Sequence, residues 1–354
     1  GPGVASGRSD RPVGGPDIVL GANTCFAVKR WPEPERWLAV LGEELGLDQC
    51  QVTLDLFEPG LDPEHSTAAA RAIARASSRA GITLHSTFTG LAAYSSNLLL
   101  DPDPLVRSAA ERWFGRAIEL TAEMGAAGTG GYLGAFSVSD SADPATRRRR
   151  LDGLTAAMVR LSQRASASGL SFLMFENMAV EREFGHRIEE AHELEERAST
   201  GPVPWVLCLD LGHPCALRTG TRSDDPVAWL SERWRSTPVL QIQQANRGGD
   251  FHWPFTPERN AEGLLDPRRV VRYLAGWPAD EPVLLFLEVI HPAEHPDDGV
   301  LADLRQSVAC WREAMAEAAA ATPAPTASSG ATAVGGGAES PSGGPESPSG
   351  SGGS

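Results

Sequence analysis

Four residues spaced from mid-chain onward carry side chains that could hold a cation: Glu176, Asp210, Gln241 and Glu288. Each lies at or near the end of a short apolar run: Phe-Glu-Asn at 175–177, Val-Leu-Cys-Leu-Asp-Leu-Gly-His at 206–213, Val-Leu-Gln-Ile-Gln-Gln at 239–244 and Leu-Leu-Phe-Leu-Glu at 284–288. Taken singly, such a residue is ordinarily a polar side chain capping a strand into solvent. Four successive runs ending in oxygen donors carry more information. If they open at one mouth, the three carboxylates repel one another unless a cation sits between them. Donors that are all oxygen favour a hard ion, Mg²⁺ or Mn²⁺, over zinc.

The elements that would position these residues alternate along the chain. Strand-like apolar runs occupy 17–23, 51–56, 82–88, 126–133, 171–176, 204–210, 238–244 and 283–288. Amphipathic stretches follow them at 34–45, 63–80, 102–124, 143–168, 187–198, 225–235, 266–274 and 299–319. Several of these open on Pro or Asp, as helix starts do. Gly46, Gly81, Gly125 and Gly169 stand where helices should stop before the next strand. Eight strand–helix units over roughly 300 residues is the count and size of a (β/α)8 TIM barrel, whose chemistry sits at the C-terminal ends of its strands. A doubly wound sheet would also alternate, but no GxGxxG follows the first strand. Gly128-Thr129-Gly130-Gly131 has no P-loop lysine. The fold expected is therefore α/β, a single TIM-barrel domain over residues 16–321. Segments 1–15 and 322–354 lie outside it as disordered ends, the latter a Gly/Ser/Pro-rich tail that cannot bury enough apolar surface to offset its ordering entropy.

Bulk composition narrows the partners. A net charge of −15 disfavours nucleic acid, whose phosphate backbone needs a basic face. No run of 18 apolar residues suggests a membrane span, and residues 1–15 lack the charged and apolar regions of a signal peptide. The five cysteines include no CxxC pair; Cys208 and Cys215 are expected as buried thiols, which fits a reducing cytoplasm.

With these residues in place, the chain resembles the sugar-phosphate isomerase/epimerase group of the xylose-isomerase-like TIM barrels, which includes the ketose 3-epimerases. The resemblance spans about residues 16–318. In that family a Glu on strand five, an Asp on strand six, a His on strand seven and a Glu on strand eight bind one metal. Glu176 and Glu288 match, and the Asp-x-x-His element matches Asp210 through His213, whose imidazole would contact substrate. The segment that usually reads His-Ile-x-Glu and then Arg-Gly is Gln241-Ile242-Gln243-Gln244 and then Arg247-Gly248. A glutamine carbonyl can replace an imidazole as ligand; His252 is the rival donor. Asn23 through Pro32, His85 through Gly90 with Tyr94 and Asn97, Glu176-Asn-Met with Arg182-Glu183, and His252-Trp-Pro-Phe look like the tetrulose-phosphate (erythrulose-phosphate) epimerase/isomerase branch.

The resemblance implies a metal-dependent isomerase or epimerase acting on a ketose or ketose phosphate through an enediolate, with erythrulose phosphate favoured. The cofactor would be Mn²⁺ or Mg²⁺, with Co²⁺ an admissible substitute. Glu176 and Glu288 would be acid and base on two faces of the sugar, with His213 and Arg247 on the oxygens near the carbonyl. Asn23 and His85, at strand ends, are expected to line the cavity, with Glu183 as an orienting carboxylate and His252 in a loop touching substrate. Phe26, Trp31, Phe88 and Trp253 would shield the reaction from water. A phosphate would find Arg30, Asn97, Arg247 and the amides of Gly130 and Gly131. The partner is then a small sugar or sugar phosphate, with a homo-oligomer left open.

Rival readings are a free-ketose 3-epimerase, a C-glycoside-cleaving lyase using the same enediolate chemistry, and a non-catalytic sugar-binding barrel. Abasic-site endonucleases share the barrel but hold three metal ions with many histidines, and the acidic charge is wrong for DNA.

Overall fold

The computed structural model describes residues 15–321; of the terminal segments 1–15 and 322–354, expected above to lie outside the fold, all but Gly15 fall outside the described residues. Seven strands, β1 (Ile18–Asn23), β2 (Gln49–Thr53), β3 (Thr83–Phe88), β4 (Gly128–Gly131), β5 (Phe172–Glu176), β6 (Trp205–Asp210) and β7 (Val239–Ile242), come first in the chain. A hairpin of β8 (Gln244–Asn246) and β9 (Gly249–Trp253) precedes β10 (Val283–Leu287). All but the hairpin strands close into one parallel barrel in the order β1-β10-β7-β6-β5-β4-β3-β2. This is the (β/α)8 TIM barrel anticipated from the alternation.

Local chemistry explains why helices start where they do. Helices Pro63–Ala80, Pro104–Glu123, Pro144–Ser168, Pro226–Leu230 and Pro267–Ala275 each begin with Pro, and the preceding Asp accepts a backbone N–H of the first turn. Asp satisfies an orphan donor and Pro supplies a preset φ without needing a partner. The stops follow equally simple physics. Gly46, Gly81, Gly125 and Gly169 adopt φ of 62°, 67°, 75° and 81°, the left-handed conformation that closes a helix at little cost only in glycine.

Helix Asp297–Ala321 turns a buried face of Val300, Leu304, Val308 and Trp311 onto the barrel wall, and the Trp311 ring meets Phe255 edge-on at 5.2 Å. Among the described residues no helix is long and apolar enough to cross a membrane.

Two expectations shift. The run at 225–235 forms only the short helix Pro226–Leu230, and the run at 238–244 breaks after Ile242 to feed the hairpin. His186 is buried against Glu190, with its Nδ1 2.8 Å from Oε2 of that residue.

Strand parity positions the site. Phe172, Met174, Val206, Cys208, Val239, Leu284 and Phe286 form an apolar cluster with Phe88 in the barrel. Because side chains alternate across a strand, the next residues in the same series, Glu176, Asp210, Gln241 and Glu288, also face inward, above that apolar plug. Two glycines make the plug fit. A Cβ at Gly21 would come 2.9 Å from the Phe286 ring. At Gly130 it would fall 2.0 Å from the Met174 carbonyl oxygen.

Candidate active site and metal centre

Glu176, Asp210 and Glu288 offer carboxylate oxygens that lie within 4.8 Å of one another, and all three residues are buried. The end of the Gln241 amide sits between two of them, 3.2 Å from Glu176 Oε1 and 3.2 Å from Glu288 Oε2, where its oxygen can join the cluster. Oxygens at that spacing suit the edges of an octahedron whose bonds to a small hard cation are about 2.0–2.2 Å. The donor set therefore fits a small hard divalent cation, which these four residues could hold. Asp210 is oriented by the chain itself: its Oδ1 accepts from Gly212 N at 2.7 Å and His213 N at 3.2 Å.

His213 and His252 stand beside this cluster, and Asp250 bridges them. Asp250 Oδ2 lies 3.1 Å from His213 Nε2 and 3.2 Å from His252 Nε2, and its Oδ1 accepts from Gln243 Nε2 at 2.5 Å. The other nitrogen of His213 meets Asn177 O at 2.5 Å, and that of His252 meets Glu288 O at 3.1 Å. His252 reaches this place through a left-handed backbone, φ 49°, which is strained for a residue with a Cβ. Together with Asp210 and His213 it forms a second group of potential ligands. Both candidates for the strand-seven-side ligand are thus at the site, with only Gln241 wedged between the two glutamates.

Burial and charge set the protonation pattern. Burial, with Glu288, Asp210 and Asp250 nearby, holds Glu176 well above the usual carboxylate range, although His213 opposes it. Glu288 is pushed up to about 8, mainly by burial, with Asp210 and Asp250 adding and His252 and His213 opposing. Burial works against charge on both imidazoles, yet Asp210, Asp250 and Glu176 raise His213 and Asp250 and Glu288 bring His252 up to about 10. Burial would also raise Asp250, but its two histidines outweigh this and hold it well below the usual carboxylate range.

A cavity of about 170 Å³ opens over Glu176 and Glu288, lined also by His213, His252, Asp250, Phe88, Tyr94, Tyr132, Thr53, Asp55 and Cys25. Tyr94 is fixed by donating to Glu183 Oε1 at 2.7 Å. Glu183 is buried, and its other oxygen has no hydrogen-bond partner among the described residues.

Several expected substrate contacts are engaged elsewhere. Arg30 donates to the His295 carbonyl at 2.9 Å and to that of Pro292 at 2.7 Å, and pairs with Asp297. Arg247 donates to the carbonyls of Pro214, Leu217 and Asp224. Asn97 donates to Ala135 O at 2.7 Å. His85 is not at a strand end; its ring packs between Phe172 and Phe286, at 5.4 and 5.2 Å, within the barrel interior, and burial pushes it down to about 4. Asn23 caps Cys25 N and donates to Gln51, away from the cavity. Gly130 and Gly131 pair in register with Met174 and Phe175 of β5. Of the four expected shielding aromatics Phe88 lines the cavity, whereas Phe26 is core with Trp31 packed on it and Trp253 stacks on Phe251.

Sequence reasoning overlooked Asp250 and Gln51. The signal for Asp250 was available: in the alternating run Gly249–Trp253 it shares a strand face with His252.

A family model described as a xylose isomerase-like TIM barrel matches residues 41–275. The chain is 27% identical over 298 residues to a D-erythrulose 1-phosphate 3-epimerase of Brucella abortus, covering 83% of this chain and 95% of that one. It is similar to the crystal structure of a putative xylose isomerase from Rhodospirillum rubrum, with TM-score 0.77 and 31% identity over 84% of this chain and 99% of the other. A D-psicose 3-epimerase from Clostridium cellulolyticum, solved with D-tagatose, superposes with TM-score 0.61 at 13% identity over 84% and 99%. At that identity the likeness speaks to the fold alone.

Proposed function

The chain belongs to the xylose isomerase-like TIM barrel family and is a sugar isomerase or epimerase, and we propose that it inverts C3 of a short ketose, erythrulose phosphate first, in a divalent-metal-dependent reaction. The observation that carries this reading is the buried carboxylate cluster of Glu176, Asp210 and Glu288, with the Gln241 amide between the two glutamates and both glutamates lining the cavity. The 27% identity to an erythrulose 1-phosphate 3-epimerase over most of both chains supports the choice of sugar.

These four residues would hold Mn²⁺ or Mg²⁺, which when bound polarises a substrate carbonyl and favours enediolate formation. The chain's own groups do the rest. Glu176 and Glu288 stand on either side of Gln241, so a ketose lying over the cluster presents one face of C3 to each. One carboxylate takes the C3 proton; the C–H electron pair moves into the C2–C3 bond as the C2 carbonyl becomes an enediolate oxygen. The other carboxyl group, protonated, returns a proton to the opposite face, and the carbonyl re-forms. His213, with its two nitrogens held by Asn177 O and Asp250 Oδ2, lines the cavity and stabilises the developing oxyanion through its positive charge rather than by a direct hydrogen bond. Phe88, Tyr94 and Tyr132 limit the space for water.

A specific observation favours a second reading, a free ketose. The cavity lining contains Asp55, Glu176, Asp250 and Glu288 but no Arg or Lys, a poor reception for a phosphate dianion. The test is proton exchange in D₂O followed by NMR. Deuterium at C3 with inversion, and higher kcat/KM for erythrulose phosphate than for fructose, tagatose or ribulose, is the expected result. A free ketose turning over better transfers the conclusion to the second reading, and no exchange on any ketose or ketose phosphate overturns both.

A further inference from the structure

An amide bound to a cation must present its oxygen, and nothing in the carboxylate cluster makes Gln241 do so. Beside ionised Glu176 and Glu288, the form in which carboxylates hold a cation, the amide would turn around, since an NH₂ group 3.2 Å from both would make two hydrogen bonds where an oxygen makes none. The orientation is settled on the other side of the barrel. Gln241 Nε2 donates across the interior to Gln51 Oε1 at 2.7 Å. The same oxygen accepts from Asn23 Nδ2 at 2.9 Å, and Asn23 Oδ1 accepts from the backbone N–H of Cys25 at 2.9 Å. All three side chains are fully buried, so bulk water does not reach a mismatched end.

The backbone N–H cannot reverse, and each link follows from it. Turning Asn23 would set an NH₂ against an N–H. Turning Gln51, alone or together with Gln241, would set its NH₂ against the NH₂ of Asn23, and turning Gln241 alone would set its oxygen against Gln51 Oε1. The far end of Gln51 does not decide the matter, because it meets a hydroxyl, Ser86 Oγ at 3.2 Å, and a hydroxyl donates or accepts as needed.

We propose that Gln51, fixed by Asn23 and the Cys25 backbone amide, is the positioning residue that aims the Gln241 carbonyl oxygen into the carboxylate cluster and so sets its affinity for the divalent cation. This inference rests on the metal-centre reading above. Gln51 touches neither the cluster's carboxylates nor the substrate cavity in this arrangement; it acts through Gln241. Outer partners of metal ligands commonly change affinity by about 10- to 100-fold when removed.

The experiment measures Mn²⁺ binding by calorimetry and by loss of the free-ion EPR signal, with melting temperature of the metal-free protein recorded in parallel. Gln51→Met keeps length and burial but removes the acceptor. It should weaken Mn²⁺ binding about 10- to 100-fold while the metal-free melting temperature holds or rises, because the freed amide can then donate to Glu176 and Glu288. In a Gln241→Glu background, where either oxygen of the side chain serves, the same Gln51→Met change should alter affinity by less than about threefold. Asn23→Asp is the second variant, should Gln51→Met fold poorly: it keeps the acceptor for Cys25 N–H, loses the donor to Gln51, and should weaken Mn²⁺ binding from two residues away. Unchanged affinity in Gln51→Met, or in Asn23→Asp if that is the variant that folds, overturns the relay. Equal losses in the wild-type and Gln241→Glu backgrounds also overturn it, since they would mark a general packing role. Wild-type protein that binds no stoichiometric Mn²⁺ overturns the metal-centre reading itself, a different and separable failure.

Discussion

Replacing Arg247 with alanine should cost stability rather than substrate affinity. The guanidinium donates to three carbonyl oxygens: Pro214 at 2.5 Å, Leu217 at 2.9 Å and Asp224 at 2.9 Å. Those acceptors belong to the segment after β6 that carries helix His213–Ala216 and the turn Arg222–Asp224. A hydrogen bond with a charged donor is worth at most about 1.5–3 kcal/mol, and partial exposure here argues for about 1 kcal/mol each. Three of them give roughly 3 kcal/mol. At about 2 °C per kcal/mol for a chain of this size, the melting temperature should fall by about 6 °C. Arg247→Lys should recover only part of that, because an ammonium cannot fork to carbonyls on separate turns as a guanidinium does. The assay pairs thermal unfolding at fixed Mn²⁺ with steady-state kinetics. A modest fall in kcat is expected, since the same segment seats His213. An unchanged melting temperature together with a KM raised tenfold or more would refute the argument and return Arg247 to the substrate.

Glu176→Gln and Glu288→Gln should each lower turnover by about 10²–10⁴-fold, read from C3 exchange at saturating Mn²⁺ so that lost metal is not mistaken for lost proton transfer; near-normal exchange would leave the residue a ligand only. Stripping with EDTA should abolish activity, and Mn²⁺ or Mg²⁺ should restore it. The metal-free protein should also become less stable as pH rises. Glu288, pushed up to about 8 by burial, keeps its proton in the fold where the unfolded chain has lost it, so its contribution is full below the ordinary carboxylate value and is lost as pH rises through about 8. Thermal melts from pH 5 to 9 in EDTA should slope downward and flatten with Mn²⁺; a flat EDTA series would contradict the assigned burial. Arg30→Ala should loosen the 292–297 segment and affect phosphorylated and free ketoses alike, whereas Lys29→Ala, removing the chain's single and exposed lysine just beyond β1, should raise KM for the phosphorylated sugar alone if a phosphate is bound; equal effects of Lys29→Ala on both sugars would remove it from that role.

What could be read from sequence followed from local rules. Helix Pro63–Ala80 begins at an Asp-Pro pair and ends before a left-handed glycine, and both signals act within one turn. The ends of apolar runs likewise located Glu176, Asp210 and Glu288 without any tertiary information, and in the barrel all three are buried. The misreadings concern choices that only the closed barrel makes. Arg30 and Arg247 are cations close to strand ends, but whether a cation faces a cavity depends on which backbone carbonyls reach it first, and those lie 262 and 33 residues away in sequence for the Pro292 and Pro214 oxygens. His85 fell in an apolar run whose end was correctly placed at Phe88; three residues of depth were enough to move its ring from the mouth to the plug.

The glutamine at the strand-seven position draws these threads together. Where the family resemblance expects histidine, an imidazole can offer nitrogen from either edge, and its outer N–H needs only an acceptor to set the tautomer. An amide has one end that attracts a cation and one that repels it, and beside two glutamates the wrong end is the one locally preferred. Accepting glutamine as a stand-in for histidine therefore implies a second requirement: an acceptor on the opposite side of the barrel whose own orientation cannot reverse. Gln51 Oε1 meets it, 190 residues away in sequence, and the Cys25 backbone N–H behind Asn23 is what makes the orientation one-way. On this view Gln241 without Gln51 would be a hydrogen-bond donor closing the cluster, and with it a ligand opening it. A Gln241→His variant should accordingly become indifferent to Asn23→Asp, since neither imidazole edge carries an amide's polarity. If Mn²⁺ affinity in Gln241→His falls as far upon Asn23→Asp as it does in the wild-type background, the one-way chain of amides is not what orients the ligand.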